Sequence, residues 1–143
     1  MNPLPTPAAD PRAFLARTPY ARFLGMTADL AGDEMTGTLP FADHLIGNPR
    51  LPALHGGVIG AFMEMTALAQ LAILQPGGKL PKTVDVTIEY LRPGRPLTTY
   101  ARADVRKAGK RVANVHVEAW QEERLRPIAS LRGHFLLPND LPG

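Results

Sequence analysis

The sequence predicts a single α+β domain in which a curved antiparallel sheet wraps one long buried helix. Three observations lead there. Residues 55–74 run through helix formers and apolar side chains almost without a break. Four later segments alternate apolar and polar residues with the period of a strand. The 143 residues are 45% hydrophobic and 20% charged, an ordinary composition for one globular domain of common size.

The elements follow in chain order. Residues 1–9 hold three prolines and read as a flexible N-terminal arm, leaving 10–143 as one domain. Asp10-Pro11 supplies an N-cap and a proline at the first helical position, so a short helix is expected over 11–17. Thr18-Pro19 reads as its stop. Residues 23–40 read as two strand pieces around the turn Ala31-Gly32-Asp33. Residues 41–54, with Gly47, Asn48, Pro49 and Pro52, read as a loop delivering the chain to His55.

About nineteen residues of helix then follow, roughly 28 Å of it, ending before Gln75-Pro76-Gly77-Gly78. The helix is apolar almost all round, as expected of one buried on every side. Glu64 and Gln70 inside it, and the amphipathic segments after it, argue against a membrane span. Glu64 itself is anomalous. Its neighbours one turn away are Gly60, Ala61, Ala67 and Leu68, and none can pair with a carboxylate. Burying an unpaired charge is costly, so Glu64 is either paired with something distant in sequence or kept for chemistry. Thr66 and Gln70, one turn apart, are expected to satisfy each other's surroundings.

Residues 83–90 place Val84, Val86, Ile88 and Tyr90 on one face and Thr83, Asp85, Thr87 and Glu89 on the other. Arg92-Pro93-Gly94-Arg95-Pro96 is a turn. Residues 100–107 set Ala101, Ala103 and Val105 against Arg102, Asp104 and Arg106, and Ala108-Gly109 closes a hairpin. Residues 112–120 put Ala113, Val115, Val117 and Ala119 on one face, and 128–137 is the last strand. The inward residues are small, as suits a sheet curving closely around a helix. So short a sheet leaves open edges, which a second copy can pair; a homodimer is expected, or a tetramer made of two dimers.

Charge and composition narrow the chemistry. The net charge is +3, with seven basic residues against Asp104 alone within 92–111. That excess suits an anionic ligand, or solvated strand faces and turns. No recognised nucleic-acid reader accompanies it, so no nucleic-acid partner is expected. The chain has no cysteine, which excludes a disulfide framework and a thiolate nucleophile. His44, His116 and His134 lack partners at metal spacing, so neither a metal nor a cofactor is expected. The first residues show no basic region followed by an apolar core, and the cytoplasm is the default compartment.

A long helix covered by an antiparallel sheet is the hotdog architecture, and the residues resemble one family that has it. Leu54-His55-Gly56-Gly57-Val58, with an acid nine positions after the histidine, resembles the helix motif of PaaI-type hotdog thioesterases. Thr83-Val84-Asp85-Val86-Thr87-Ile88-Glu89-Tyr90-Leu91-Arg92-Pro93 resembles that family's next strand and turn, and Gly109-Lys110-Arg111 with 115–120 its hairpin. The likeness covers about residues 20–137.

The resemblance implies hydrolysis of an acyl-CoA thioester at a site on a dimer interface, the helix start of one copy facing the acid of the other. Gly56 and Gly57 open the helix, where free N–H groups and the dipole favour an oxyanion. Glu64 would be the base or the nucleophile, and His55 a brace for the loop or a proton carrier. By the same resemblance Asn48 orients water, although Pro49 and Pro52 alter the usual loop. Thr83 stands where relatives point a hydroxyl into the site, against the strand pattern, which turns it to solvent. Arg92 and Arg95 would meet coenzyme A phosphates. Two other functions use the same architecture. One is a module that binds acyl-CoA without cleaving it. The other is a hotdog dehydratase or hydratase, whose acid stands some five residues after its glycine, a spacing Glu64 does not match.

Overall fold

Alternating strands need one apolar surface to cover, and in the computed structural model that surface is the helix at 56–74. The structure describes residues 10–74, 80–108 and 110–138. The expected arm at 1–9, the expected stop at 75–78 and Gly109 of the expected hairpin lie outside the described residues.

Helix α1 is Pro11–Arg17, capped by the Asp10 carboxylate, which accepts the Arg12 N–H at 2.9 Å. A second short helix, α2 (Pro19–Leu24), follows at once and corrects the strand expected from residue 23. Proline stops one helix but also opens the next, because its missing N–H costs nothing in a first turn. Gly25 ends α2 at φ 78°, its N–H donating to the Ala21 and Arg22 carbonyls. Strands β1 (Thr27–Ala31) and β2 (Glu34–Leu39) form the expected hairpin, with Gly32 at φ 65° in the turn. The expected loop at 41–54 contains a 3-10 turn, Asp43–Leu45, and a small two-stranded ribbon of β3 (Ile46–Asn48) and β4 (Ala53–Leu54).

Helix α3 is Gly56–Leu74, and β5 (Lys82–Tyr90), β6 (Thr99–Ala108), β7 (Val112–Trp120) and β8 (Ala129–Leu136) complete the main sheet. The sheet is antiparallel throughout, in the order β1-β2-β6-β7-β8-β5. Its concave side packs on α3, whose other contacts include α1 and α2. This is the hotdog arrangement expected from the sequence. Ala113, Val115, Val117 and Ala119 are buried together against it, as the strand pattern requires.

Two details depart from the sequence reading. Helix α3 is long and apolar enough to cross a bilayer, and 67% of that span is buried within the fold, the position of a core helix. It is not covered on every side, however. Gly57, Ala61, Glu64 and Leu68, spaced by three or four residues, form a stripe that the sheet leaves partly open. The second departure is in β5. Thr83 pairs with Phe135 but Asp85 with His134, so Val84 is an extra residue, a β-bulge. The bulge reverses the alternation. Val84 is 60% exposed, while Thr83 turns to the helix side with Val86 and Ile88. Gly133 permits this, since a Cβ there would lie 2.9 Å from the Asp85 carbonyl oxygen.

Candidate active site

The start of α3 is built by the loop before it. The His55 N–H donates to the Leu45 carbonyl at 2.9 Å, and Gly47 lets the two chain segments touch, because a Cβ there would meet the His55 Cα at 2.8 Å. His55 Nδ1 then accepts the Gly57 N–H at 2.9 Å. The imidazole is thus a side-chain cap that satisfies one free donor of the first turn. Nδ1 is the acceptor of this bond, so a neutral ring carries its proton on Nε2. Among the described residues the Gly56 N–H has no partner. It borders a cleft of about 260 Å³ lined by Ala53, Leu54, Ile59, Tyr90, Leu91 and Pro93 among others. An N–H free at a helix start, next to open space, can polarise a carbonyl or hold an oxyanion.

Glu64 lies eight residues further along α3, about 12 Å by the helical rise. It is half-buried on the open stripe rather than sealed in the core. Its partner is distant in sequence, one of the two possibilities the sequence left open. Thr83 Oγ1 donates to Glu64 Oε2 at 2.7 Å. The bulge in β5 creates this contact, and it settles the orientation of Thr83 in favour of the helix side. A carboxylate held at one oxygen leaves the other to bind water or to attack.

The remaining candidates are dispersed. Asn48 is the last residue of β3, where it pairs with Ala53 and its Oδ1 accepts the Arg50 N–H at 3.0 Å. Arg92 donates through Nη1 to the Pro127 carbonyl at 2.6 Å. Arg95 pairs through Nη2 with Glu122 Oε1 at 2.6 Å, and Gln121 grips its backbone through both N–H and carbonyl. Both arginines line a second cleft of about 450 Å³ with Arg126, Glu122 and Glu123. The two clefts share Arg92 and Pro93. The basic run at 92–111 does not form one patch. Arg102 and Arg106 stand on the sheet face away from α3, paired with Glu34 at 3.9 Å and Asp104 at 2.9 Å.

Thr66 and Gln70 do not serve each other. Thr66 Oγ1 bonds the Phe62 carbonyl at 2.8 Å, whereas Gln70 accepts the Met35 N–H at 2.9 Å and donates to the Asp33 carbonyl at 2.7 Å, pinning the β1–β2 turn to the helix. Phe62 and Met63, beside Glu64, are wholly buried in the chain's own core. The sequence reading assigned no role to two residues beside the clefts. Tyr90 appeared only as a strand residue, and Arg126 lay in a connection with no periodic signal.

Comparison with known proteins gives a consistent result. The model of the thioesterase superfamily matches residues 51–128, which include the start of α3, Glu64, Thr83 and both arginines. The medium/long-chain acyl-CoA thioesterase YigI of Escherichia coli K12 is 29% identical, over 87% of this chain and 88% of its own. A crystal structure of a Chromobacterium violaceum protein is 41% identical with a TM-score of 0.72, covering 90% of this chain and 89% of that one. A phenylacetic acid degradation-related protein from Ralstonia eutropha shares the fold at a TM-score of 0.76 and 19% identity, over 87% of this chain and 96% of its own.

Proposed function

This chain belongs to the thioesterase superfamily, and on that premise we propose that it hydrolyses acyl-CoA thioesters at a site assembled from two copies. The observation that carries the reading is the separation of two complementary groups. A free N–H at Gly56 and a tethered carboxylate at Glu64 are the two halves of a thioester hydrolase, yet about 12 Å of helix parts them. One carbonyl cannot meet both within one chain. A second copy supplies the missing half.

The fold offers a place for that copy. Strand β5 is an edge of the main sheet, with Val84 and Tyr90 more than half exposed, and it runs beside the open stripe of α3 that carries Glu64. Pairing two β5 edges would extend the sheet and lay one stripe against the other. The Gly56 N–H of one copy would then polarise the carbonyl. Glu64 of the other would activate water as a base, or attack to form an anhydride that water opens. In either route the thiolate of coenzyme A leaves and the acid is released. Thr83 orients the carboxylate, and His55 braces the helix start. Asn48 follows Gly47, which touches His55, and its amide could meet the attacking water.

The cleft shared by Arg92, Arg95 and Arg126 continues from Gly56 and suits the phosphates of the coenzyme A nucleotide. Arg95 would have to exchange Glu122 for phosphate. YigI is a medium/long-chain acyl-CoA thioesterase, so medium and long acyl chains are the first to try. The cytoplasm is the compartment proposed for the reaction.

The test is release of free thiol from short, medium, long and aryl acyl-CoAs by the wild type and by Glu64→Gln. Wild-type turnover with a loss of about a hundredfold or more in a folded mutant is the expected outcome. Binding without thiol release by either protein would overturn hydrolysis and leave a binding module. Light scattering across a dilution series tests the assembly, and specific activity should fall as dimers dissociate.

A further inference from the structure

Two adjacent glycines are the least constrained pair a helix can start with, since neither has a Cβ to limit its backbone. An N–H that must point at one spot needs something else to hold it. The structure provides two anchors on one peptide unit. His55 Nδ1 accepts the N–H of Gly57, and the Tyr90 hydroxyl donates to the carbonyl of Gly56 at 2.7 Å. These are the two ends of the same peptide plane. Its orientation is therefore fixed from both sides, and the preceding N–H, that of Gly56, is left unpartnered among the described residues.

Tyr90 is well placed for the task. It is the last residue of β5 and pairs with Ala129, so the sheet sets its position. Its ring lies across the first turn of α3: a Cβ at Gly56 would stand 3.4 Å from the ring and hydroxyl, and one at Gly60 3.4 Å from the hydroxyl. Packing within the chain does not explain the hydroxyl, because Tyr90 is 54% exposed there. A phenylalanine would serve packing equally well. Tyr90 lines the cleft that Gly56 borders, and its hydroxyl is bonded to the backbone there.

We propose that Tyr90 is a positioning residue for thioester hydrolysis, holding with His55 the Gly56–Gly57 peptide so that the Gly56 N–H keeps one direction toward the reacting carbonyl. The inference rests on the hydrolase reading above. Preorganised donors cost no reorientation as the oxyanion forms, which is why their fixity shows in kcat.

The experiment compares wild type and Tyr90→Phe as full-length chains, with three readouts. The first is kcat and KM for the acyl-CoA that the wild type turns over best. The second is the affinity for an alkyl-CoA thioether, which has no carbonyl to polarise. The third is the amide NMR signals of Gly56 and Gly57 in glycine-labelled protein. The expected result is a fall in kcat of about tenfold, the scale of one lost hydrogen bond. KM and thioether affinity should stay within about twofold, and the two glycine signals should shift or broaden.

An unchanged kcat, or unchanged glycine signals, would overturn the role of Tyr90 while leaving hydrolysis standing. A parallel loss of kcat and thioether affinity would also overturn it, since the residue would then serve binding alone. Absence of thiol release by the wild type would instead overturn the hydrolase reading, and the role of Tyr90 with it.

Discussion

Replacing Thr83 by valine removes one hydroxyl and keeps the shape and the β-branched stem. That hydroxyl donates to an ionisable carboxylate at 2.7 Å, a bond of the stronger class, worth about 1.5–3 kcal/mol when the acceptor is charged. Glu64 is half-buried, so water can replace part of what is lost, and the lower end of that range applies to stability. Catalysis has no such relief, because water does not hold the carboxylate at one angle. Every 1.36 kcal/mol is tenfold in rate, so kcat should fall by about ten- to a hundredfold, while the melting temperature falls by about 4–6 °C. Thr83→Ser, which keeps the donor, should retain most of the activity. The assay is thiol release from the acyl-CoA that the wild type prefers, run also in a Glu64→Gln background. If Thr83 acts through Glu64, valine costs nothing further there. A Thr83→Val enzyme within twofold of wild type, or an additional tenfold loss in the double mutant, would refute the reasoning.

Three further outcomes follow from single contacts. Gly133→Ala places a Cβ 2.9 Å from the Asp85 carbonyl oxygen and should cost about 1–3 kcal/mol in urea unfolding; by pushing on the bulge it should also lower kcat through Thr83. Gln70→Leu leaves the Met35 N–H without its partner in a buried site, so a loss of about 1–3 kcal/mol is expected by the same measurement, with KM unchanged in the surviving folded enzyme. Asp10→Ala removes the cap of α1 and should cost about 1 kcal/mol at neutral pH. The bond from the Arg12 N–H holds the Asp10 carboxyl below its ordinary value of 3.8. The cap's contribution is therefore complete above that value and lost as pH falls through the lowered one. Thermal melts of wild type and Asp10→Ala should differ at pH 7 and converge in strong acid.

Much of this fold was legible because its signals were local and redundant. Asp10-Pro11 set the start of α1, and the apolar run after His55 set all of α3. Ala113, Val115, Val117 and Ala119 alternated cleanly because no bulge interrupts them. The readings of Thr83 and Gln70 share a cause: each residue's role is decided by a partner remote in the chain. Strand parity turned Thr83 to solvent while the resemblance turned it into the site, and one extra residue in β5 reverses the parity. The only local trace of that bulge was Gly133, fifty residues on, opposite the site. Pro19 carried both a stop and a start, and Gly25, the αL cap that ends the second helix, lies within the segment read as strand. Gln70 was assigned to its helix neighbour because nothing in the sequence places the β1–β2 turn beside it.

The candidate site was less legible than the fold, for a related reason. Sequence gives residue types, and His55, Gly56 and Glu64 could be selected on type and spacing. Which N–H remains available is a matter of hydrogen-bond accounting, and that needs coordinates. His55 takes the Gly57 N–H, so of two equivalent glycines in the sequence only Gly56 keeps its donor. The same accounting divides the arginines. Seven basic residues in one stretch suggested one surface for an anionic ligand, but strand alternation sends Arg102 and Arg106 to the far face of the sheet and leaves Arg92 and Arg95 beside the cleft. A charge excess counted along the chain becomes a binding surface only where the strands bring its members to the same side. Here that side is the one that also carries Gly56.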